Sequence, residues 1–145
     1  MNYKTKKIKS VIKQMKRTIK FRGFNTKNNK WIYGYYLVNR GQHFIVEDDI
    51  ANPLNTWEDY LVEEDTIGQF TGLLDMGGVE IYEGDIVRVT YPNEEPKEVE
   101  VVYSESDASY IAYMGCERLL GLINAEFEVI NGKEIQNENQ RTNDR

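Results

Sequence analysis

Nucleophilic catalysis needs an attacking group and a base to take its proton, and this chain offers one thiol, Cys116, and one histidine, His43. Nothing in their spacing unites them. Cys116 closes an apolar stretch with Met114 and Gly115 and reads as a small buried hydrophobe; His43 reads as a polar residue at a strand edge. Carboxylates, which can hold hard cations or exchange protons, cluster at Glu47-Asp48-Asp49, at Glu63-Glu64-Asp65 and around Glu80, Glu83 and Asp85. None of these runs follows the Asp-x-Asp-x-Asp-Gly order of a calcium loop, so the first two read as solvated acidic loops. Glu83-Gly84-Asp85 reads as a turn in which the Asp85 side chain accepts hydrogen bonds from nearby backbone N–H groups. No Gly-rich phosphate cradle ending in Lys-Ser or Lys-Thr occurs. The expectation is a protein that is not an enzyme, with no catalytic set, no metal site and no cofactor.

The cationic residues carry a different chemistry. Residues 1–46 hold 12 of the 18 Lys and Arg and no acid, whereas all 24 acids lie from Glu47 onward, leaving the chain at −6 overall. Such a split points to charged partners or to head-to-tail self-association. Lys6, Lys7, Lys9, Lys13, Lys16, Arg17 and Lys20 are the candidate nucleic-acid contacts, because released counterions would favour binding and Phe21, Phe24 and Trp31 follow for base stacking. The competing reading is a solvated extension, since no recognition helix or RNA-binding signature accompanies the charge.

Around those residues the chain must build its elements. Ile8, Val11, Ile12, Met15 and Ile19 fall on one helical stripe, which predicts a basic amphipathic N-terminal helix that needs a partner to order. From Lys30 the period changes to two. Trp31, Tyr33, Tyr35 and Leu37 alternate with Ile32, Gly34, Tyr36 and Val38, then Asn39-Arg40-Gly41-Gln42 leads into Phe44-Ile45-Val46, the pattern of a β-hairpin. Residues 47–65 read as a surface loop with one short helical turn. Asp75-Met76-Gly77-Gly78 has turn chemistry. Beyond Glu83-Gly84-Asp85, the rows Val87, Val89, Tyr91 and Val99, Val101, Tyr103 predict a hairpin with these residues inward and Glu98 and Glu100 toward water. Tyr110 to Met114 and Glu126 to Ile130 are further strand candidates, with 117–123 open between helix and strand. The Asn- and Gln-rich segment after Gly132 reads as disordered. The expected fold is mainly β, a small antiparallel barrel, roll or sandwich with short helical segments.

Four motifs resemble one family. Ile19-Lys20-Phe21-Arg22-Gly23-Phe24, Thr66-Ile67-Gly68-Gln69-Phe70-Thr71-Gly72-Leu73, Glu80-Ile81-Tyr82-Glu83-Gly84-Asp85-Ile86-Val87 and Phe127-Glu128-Val129-Ile130 are similar, in order and spacing, to the YopX family over about residues 16–132. The resemblance implies an SH3-like β-barrel, an occurrence in bacteriophages and prophages, and no assigned biochemical role. It makes Gly68, Gly72, Gly84 and Asp85 structural motif residues, with a basic arm at 1–15 and a tail at 133–145. Two departures stand out. The closing motif runs Val129-Ile130-Asn131-Gly132 where the family has Val-Ile-Gly-Asn, and residues 1–14 precede the family's usual start, as an added arm or an upstream start before Met15.

No apolar run approaches the roughly 18 residues of a membrane span and no signal-peptide pattern is present, so the expected site of action is the cytoplasm of a bacterial host. The expected function is a phage-type accessory protein that binds protein, itself or a host factor, with nucleic-acid binding through the basic segment as the alternative.

Overall fold

The alternating residues of the hairpin from Lys30 and of the valine rows form strands in the computed structural model, which describes residues 17–47, 56–112, 117–118 and 126–130. Ten strands make two five-stranded antiparallel sheets, ordered β3-β2-β1-β4-β5 and β10-β6-β7-β8-β9. The first contains β1 (Phe21–Asn25), β2 (Lys30–Asn39), β3 (Gln42–Val46), β4 (Gly68–Leu74) and β5 (Glu80–Tyr82). The second contains β6 (Ile86–Thr90), β7 (Lys97–Ser104), β8 (Ser109–Ala112), β9 (Glu117–Arg118) and β10 (Glu126–Val129).

The β6–β7 hairpin has the register the valine rows demand. Val87 faces Val99, Arg88 faces Glu98, and Val129 of β10 lies on the other side of Val87. Val87, Val89, Val99 and Val101 are buried with Ile81, Ala112 and Val129 in one core, while Arg88 reaches Glu98 and Glu128 on the outer face at 3.0 and 3.4 Å. Glu98 and Glu100 are exposed as expected. Tyr103 departs from the inward row. β6 begins at Ile86, opposite Glu100, so Tyr103 lies past its end; it is 44% exposed and packs edge-on against Tyr110.

The predicted β2–β3 hairpin turns on Arg40 and Gly41, both at positive φ (52° and 76°), with Asn39 paired to Gln42. Two residues of that hand match the twist of the flanking strands.

The segment read as a surface loop is a structural part of the first sheet where it is described. Ile45 N donates to Tyr60 O and Val62 N to His43 O, both at 2.9 Å, so residues 60–62 run along the outer edge of β3. Tyr60 and Val62 are buried. Asn25, with no exposed surface, fixes this segment to β1: its Nδ2 donates to Glu58 O and Leu61 O at 2.9 and 2.8 Å, and its Oδ1 accepts from Asn28 N. Two single-turn 3-10 helices, Trp57–Asp59 and Glu64–Thr66, flank it.

A closed barrel is not formed among the described residues. One edge of each sheet is covered locally: β3 by residues 60–62, and β10 by the β4–β5 turn, where Met76 N donates to Phe127 O (2.9 Å) and Val129 N to Asp75 Oδ2 (3.1 Å). At those two edges backbone groups that would otherwise be open to pairing are satisfied within the chain. The N-terminal helix reading falls on residues 1–16, outside the described residues, except at Ile19. That residue lies in an extended lead-in to β1 and is 59% exposed, so the helical stripe does not reach it.

Candidate functional site

The family-like motifs meet each other in space. Arg22, the fourth residue of the first motif, lies on β1 with its guanidinium between the rings of Trp31 and Tyr82, 4.7 and 5.2 Å from their centroids. Its Nη1 is 2.5 Å from Asp85 Oδ1, and its Nη2 donates to Glu83 O at 3.4 Å. Asp85 has no exposed surface and Arg22 is 8% exposed. The other carboxylate oxygen of Asp85 accepts from Tyr82 N at 2.7 Å, the backbone role expected of it. The partner Arg22 was not foreseeable from local spacing, since 63 residues separate the two.

Around this pair the chain crosses between sheets. Gly84 N donates to Val101 O and Val101 N to Asp85 O, both at 2.8 Å, which stitches the β5–β6 turn onto β7. Gly84 has φ +82°, where a Cβ would clash with its own carbonyl. Gly68 serves differently, because a Cβ there would lie 2.2 Å from Glu83 O, so only a bare backbone lets β4 approach the turn. Gly72 marks the register shift between Phe70 and Leu74. Gly68, Gly72, Gly84 and Asp85 are thus parts of a frame.

A second ion pair flanks the first. Lys20 Nζ donates to both Glu80 oxygens at 2.8 and 3.1 Å, and the Tyr82 hydroxyl donates to Oε2 at 2.7 Å. Burial acts to raise Glu80, but Lys20 and Tyr82 outweigh it and hold the carboxyl below its ordinary value. Burial, then the bond to Glu80, push the Tyr82 phenol far above the tyrosine range, so it stays a donor.

Part of the split of charge along the sequence is internal pairing: of the six described Lys and Arg in residues 1–46, Lys20, Arg22 and Lys27 form ion pairs with the acidic half. Lys20 meets Glu80, Arg22 meets Asp85, Lys27 meets Glu58 and Asp59, and His43 Nε2 lies 3.6 Å from Glu64. Each joins the basic half to the acidic half. Of the candidate nucleic-acid contacts, Lys6, Lys7, Lys9, Lys13 and Lys16 lie outside the described residues, Lys20 is engaged by Glu80, and Arg17 lines a cleft beside Tyr110.

His43 also receives a hydrogen-bond contact from Tyr36 at 2.7 Å between Oη and Nδ1, the two rings being stacked. His43 thus sits between Tyr36 and Glu64, and Cys116, read from the sequence as a small buried hydrophobe, lies outside the described residues. Among the described residues no three His, Cys, Asp or Glu side chains are grouped to hold a metal ion. Nor is any helix there long and apolar enough to cross a membrane.

Two openings lie where the sheets meet. One, of about 510 Å³, is bounded by β4, the β7–β8 hairpin, Arg17 and Glu83. The other, of about 370 Å³, is bounded by Arg22, Trp31, Asp65 and Glu100, with Glu83 common to both. Sequence reading placed Tyr103 and Tyr110 on two strands, as they are, but did not pair those strands; the turn-forming run Glu105-Ser106-Asp107-Ala108 between them was the available signal.

The interlocking of the motifs agrees with a family assignment. The model of the YopX protein family matches residues 20–139. The chain belongs to the YopX family. No curated protein matches it significantly. Apart from Ile19, which precedes it, every residue of the four YopX-like motifs lies within that match, so the Arg22–Asp85 joint is a feature of the family-matching region.

Proposed function

We propose that this YopX-family chain is a non-enzymatic accessory protein, of the phage and prophage kind its resemblance implies, that works by binding protein, itself included. One observation carries the reading: the β4–β5 turn is rigidly built and yet apolar outward. Asp75 Oδ1 accepts from Gly77 N and Val79 N, both at 2.8 Å, and its Oδ2 from Val129 N, while Met76 N is tied to Phe127 O. On this frame Leu74, Met76 and Val79 are 57, 68 and 52% exposed. Holding three aliphatic side chains in water on an ordered turn lowers the ordering cost of association, the property of a preformed contact surface.

Size-exclusion chromatography with light scattering across a concentration series, followed by pulldown from bacterial lysate, tests this. Association that is lost in Leu74→Ser/Met76→Ser supports it; a monomer at every concentration that retains no protein overturns it. The nucleic-acid alternative ranks second because three of the described cations of the basic half, Lys20, Arg22 and Lys27, are already paired with carboxylates. Its remaining signature would be a steep loss of affinity with salt.

A further inference from the structure

We propose that the 510 Å³ cleft between β4 and the β7–β8 hairpin is a binding site for a short neutral saccharide. Its volume falls within the range of small-ligand sites. Arg17, Gln69, Glu83, Tyr103, Ser109 and Tyr110 supply its chemistry, and only Leu73 and Ala108 among its lining residues are purely aliphatic.

Three features select the ligand. First, Ser109 Oγ is buried and has no hydrogen-bond partner, an unfavourable state unless something else supplies the bond. Second, Tyr103 and Tyr110 stand opposite each other across the hairpin, with ring centroids 5.2 Å apart and planes at 67°, so they form a fixed aromatic wall; Tyr103 remains 44% exposed. The negative face of such a ring attracts the C–H hydrogens on one side of a sugar ring. Third, the polar groups are mixed: the guanidinium of Arg17 only donates, the Glu83 carboxylate only accepts, and the Gln69 amide does both. Sugar hydroxyls, each donor and acceptor at once, can answer all three.

The same lining disfavours the alternatives. A nucleotide would bring phosphate charge to a cleft whose one arginine is matched by one carboxylate. A peptide anchored by an apolar side chain would find no apolar pocket, because the aliphatic wall is Leu73 and Ala108 alone.

Saturation-transfer NMR on the full chain with maltotriose, cellotriose and chitotriose tests the proposal. Saturable binding of at least one trisaccharide is expected, weakened about tenfold or more by Gln69→Ala and by Tyr103→Ala, and retained in Tyr103→Phe, which keeps the ring. Tyr35→Ala, on β2 and not among the residues that line the cleft, should leave it unchanged, and circular dichroism should report the same fold for every variant. Absence of saturable binding by all three sugars overturns the proposal. So does binding that survives both alanine variants, or a crystal structure soaked with the sugars in which Ser109 holds an ordered water only.

Discussion

Val87 and Asp85 lie two residues apart, both without exposed surface, and opposite means keep them inside. Val87 belongs to a layer of aliphatic residues contributed mainly by β6, β7 and β10, where burial is favourable for each member by itself. Asp85 is held by the Arg22 guanidinium, itself set between two aromatic rings, and by the backbone N–H of Tyr82, and its burial is tolerable only because these partners are in place. One region is built from interchangeable parts. The other is a set of matched ones, and it is the region the family motifs spell out.

The largest expected effect separates the two. Asp85→Ala leaves Arg22 buried beside no carboxylate and should cost about 3–5 kcal/mol in urea unfolding. Replacing both partners, as Arg22→Met/Asp85→Leu, should recover part of that loss, because the remaining rings can pack on an aliphatic side chain while Tyr82 N stays unpaired. A loss below about 1 kcal/mol for Asp85→Ala would mean that the ion pair does not hold the joint. Val87→Ala, which removes two buried methyl groups and leaves a cavity, should cost about 2–3 kcal/mol, with the folded spectrum intact. If the valine change proved the more damaging, the contrast between the regions would collapse.

Backbone geometry comes next. Gly84→Ala places a side chain at φ +82° with no close neighbour, the nearest atom being Arg22 Nη2 at 3.9 Å from the new Cβ. The expected loss of about 1–2 kcal/mol is therefore backbone strain and not a clash. A neutral result would show that the turn relaxes freely.

The two regions also explain which parts were legible beforehand. Val87, Val89, Val99 and Val101 announce themselves by alternation, since each obeys the same rule independently; the β2–β3 hairpin was legible as a hairpin, but both of its alternating rows are apolar or aromatic, so the burial of Ile32 and the exposure of Tyr33 and Tyr35 were not. Asp85 could be read only as far as its own turn. Its bond to Tyr82 N is local, but the ion pair to Arg22 spans strands whose pairing no short-range pattern specifies. Residues 56–66 were opaque for a related reason: Asn25 secures them through backbone carbonyls of Glu58 and Leu61, and an asparagine with such a role is indistinguishable in sequence from a turn residue. The cleft was hidden because β4, the β7–β8 hairpin and Arg17 meet only after both sheets form.

At the edge of the joint, acidity should report on Glu80. Its folded value is depressed, so its contribution is present above the ordinary value of 4.5 and is lost as pH falls through the lower folded value. Lys20→Gln should flatten the decline of thermal stability below about pH 4.5 while Asp85 still holds Arg22. An unchanged acid profile would place the sensitivity in another carboxylate. The effect is small, because a third or more of the Glu80 side chain faces solvent and water screens the pair.

The smallest effect belongs to the part of the first sheet that most resembles the valine hairpin in simplicity. The β2–β3 turn needs positive φ at both central positions, and Arg40 meets that need at φ 52° although its Cβ disfavours the left-handed region. Asparagine enters this region more readily and is favoured before glycine in such a two-residue turn. Arg40 is exposed, so the substitution removes no packing. Arg40→Asn should thus stabilise the fold by about 0.5 kcal/mol, within the range of surface changes, and raise the melting temperature slightly. A fall instead would mean that the arginine makes a contact in solution worth more than the strain it carries, and the turn would then join Asp85 among the matched parts of this sheet.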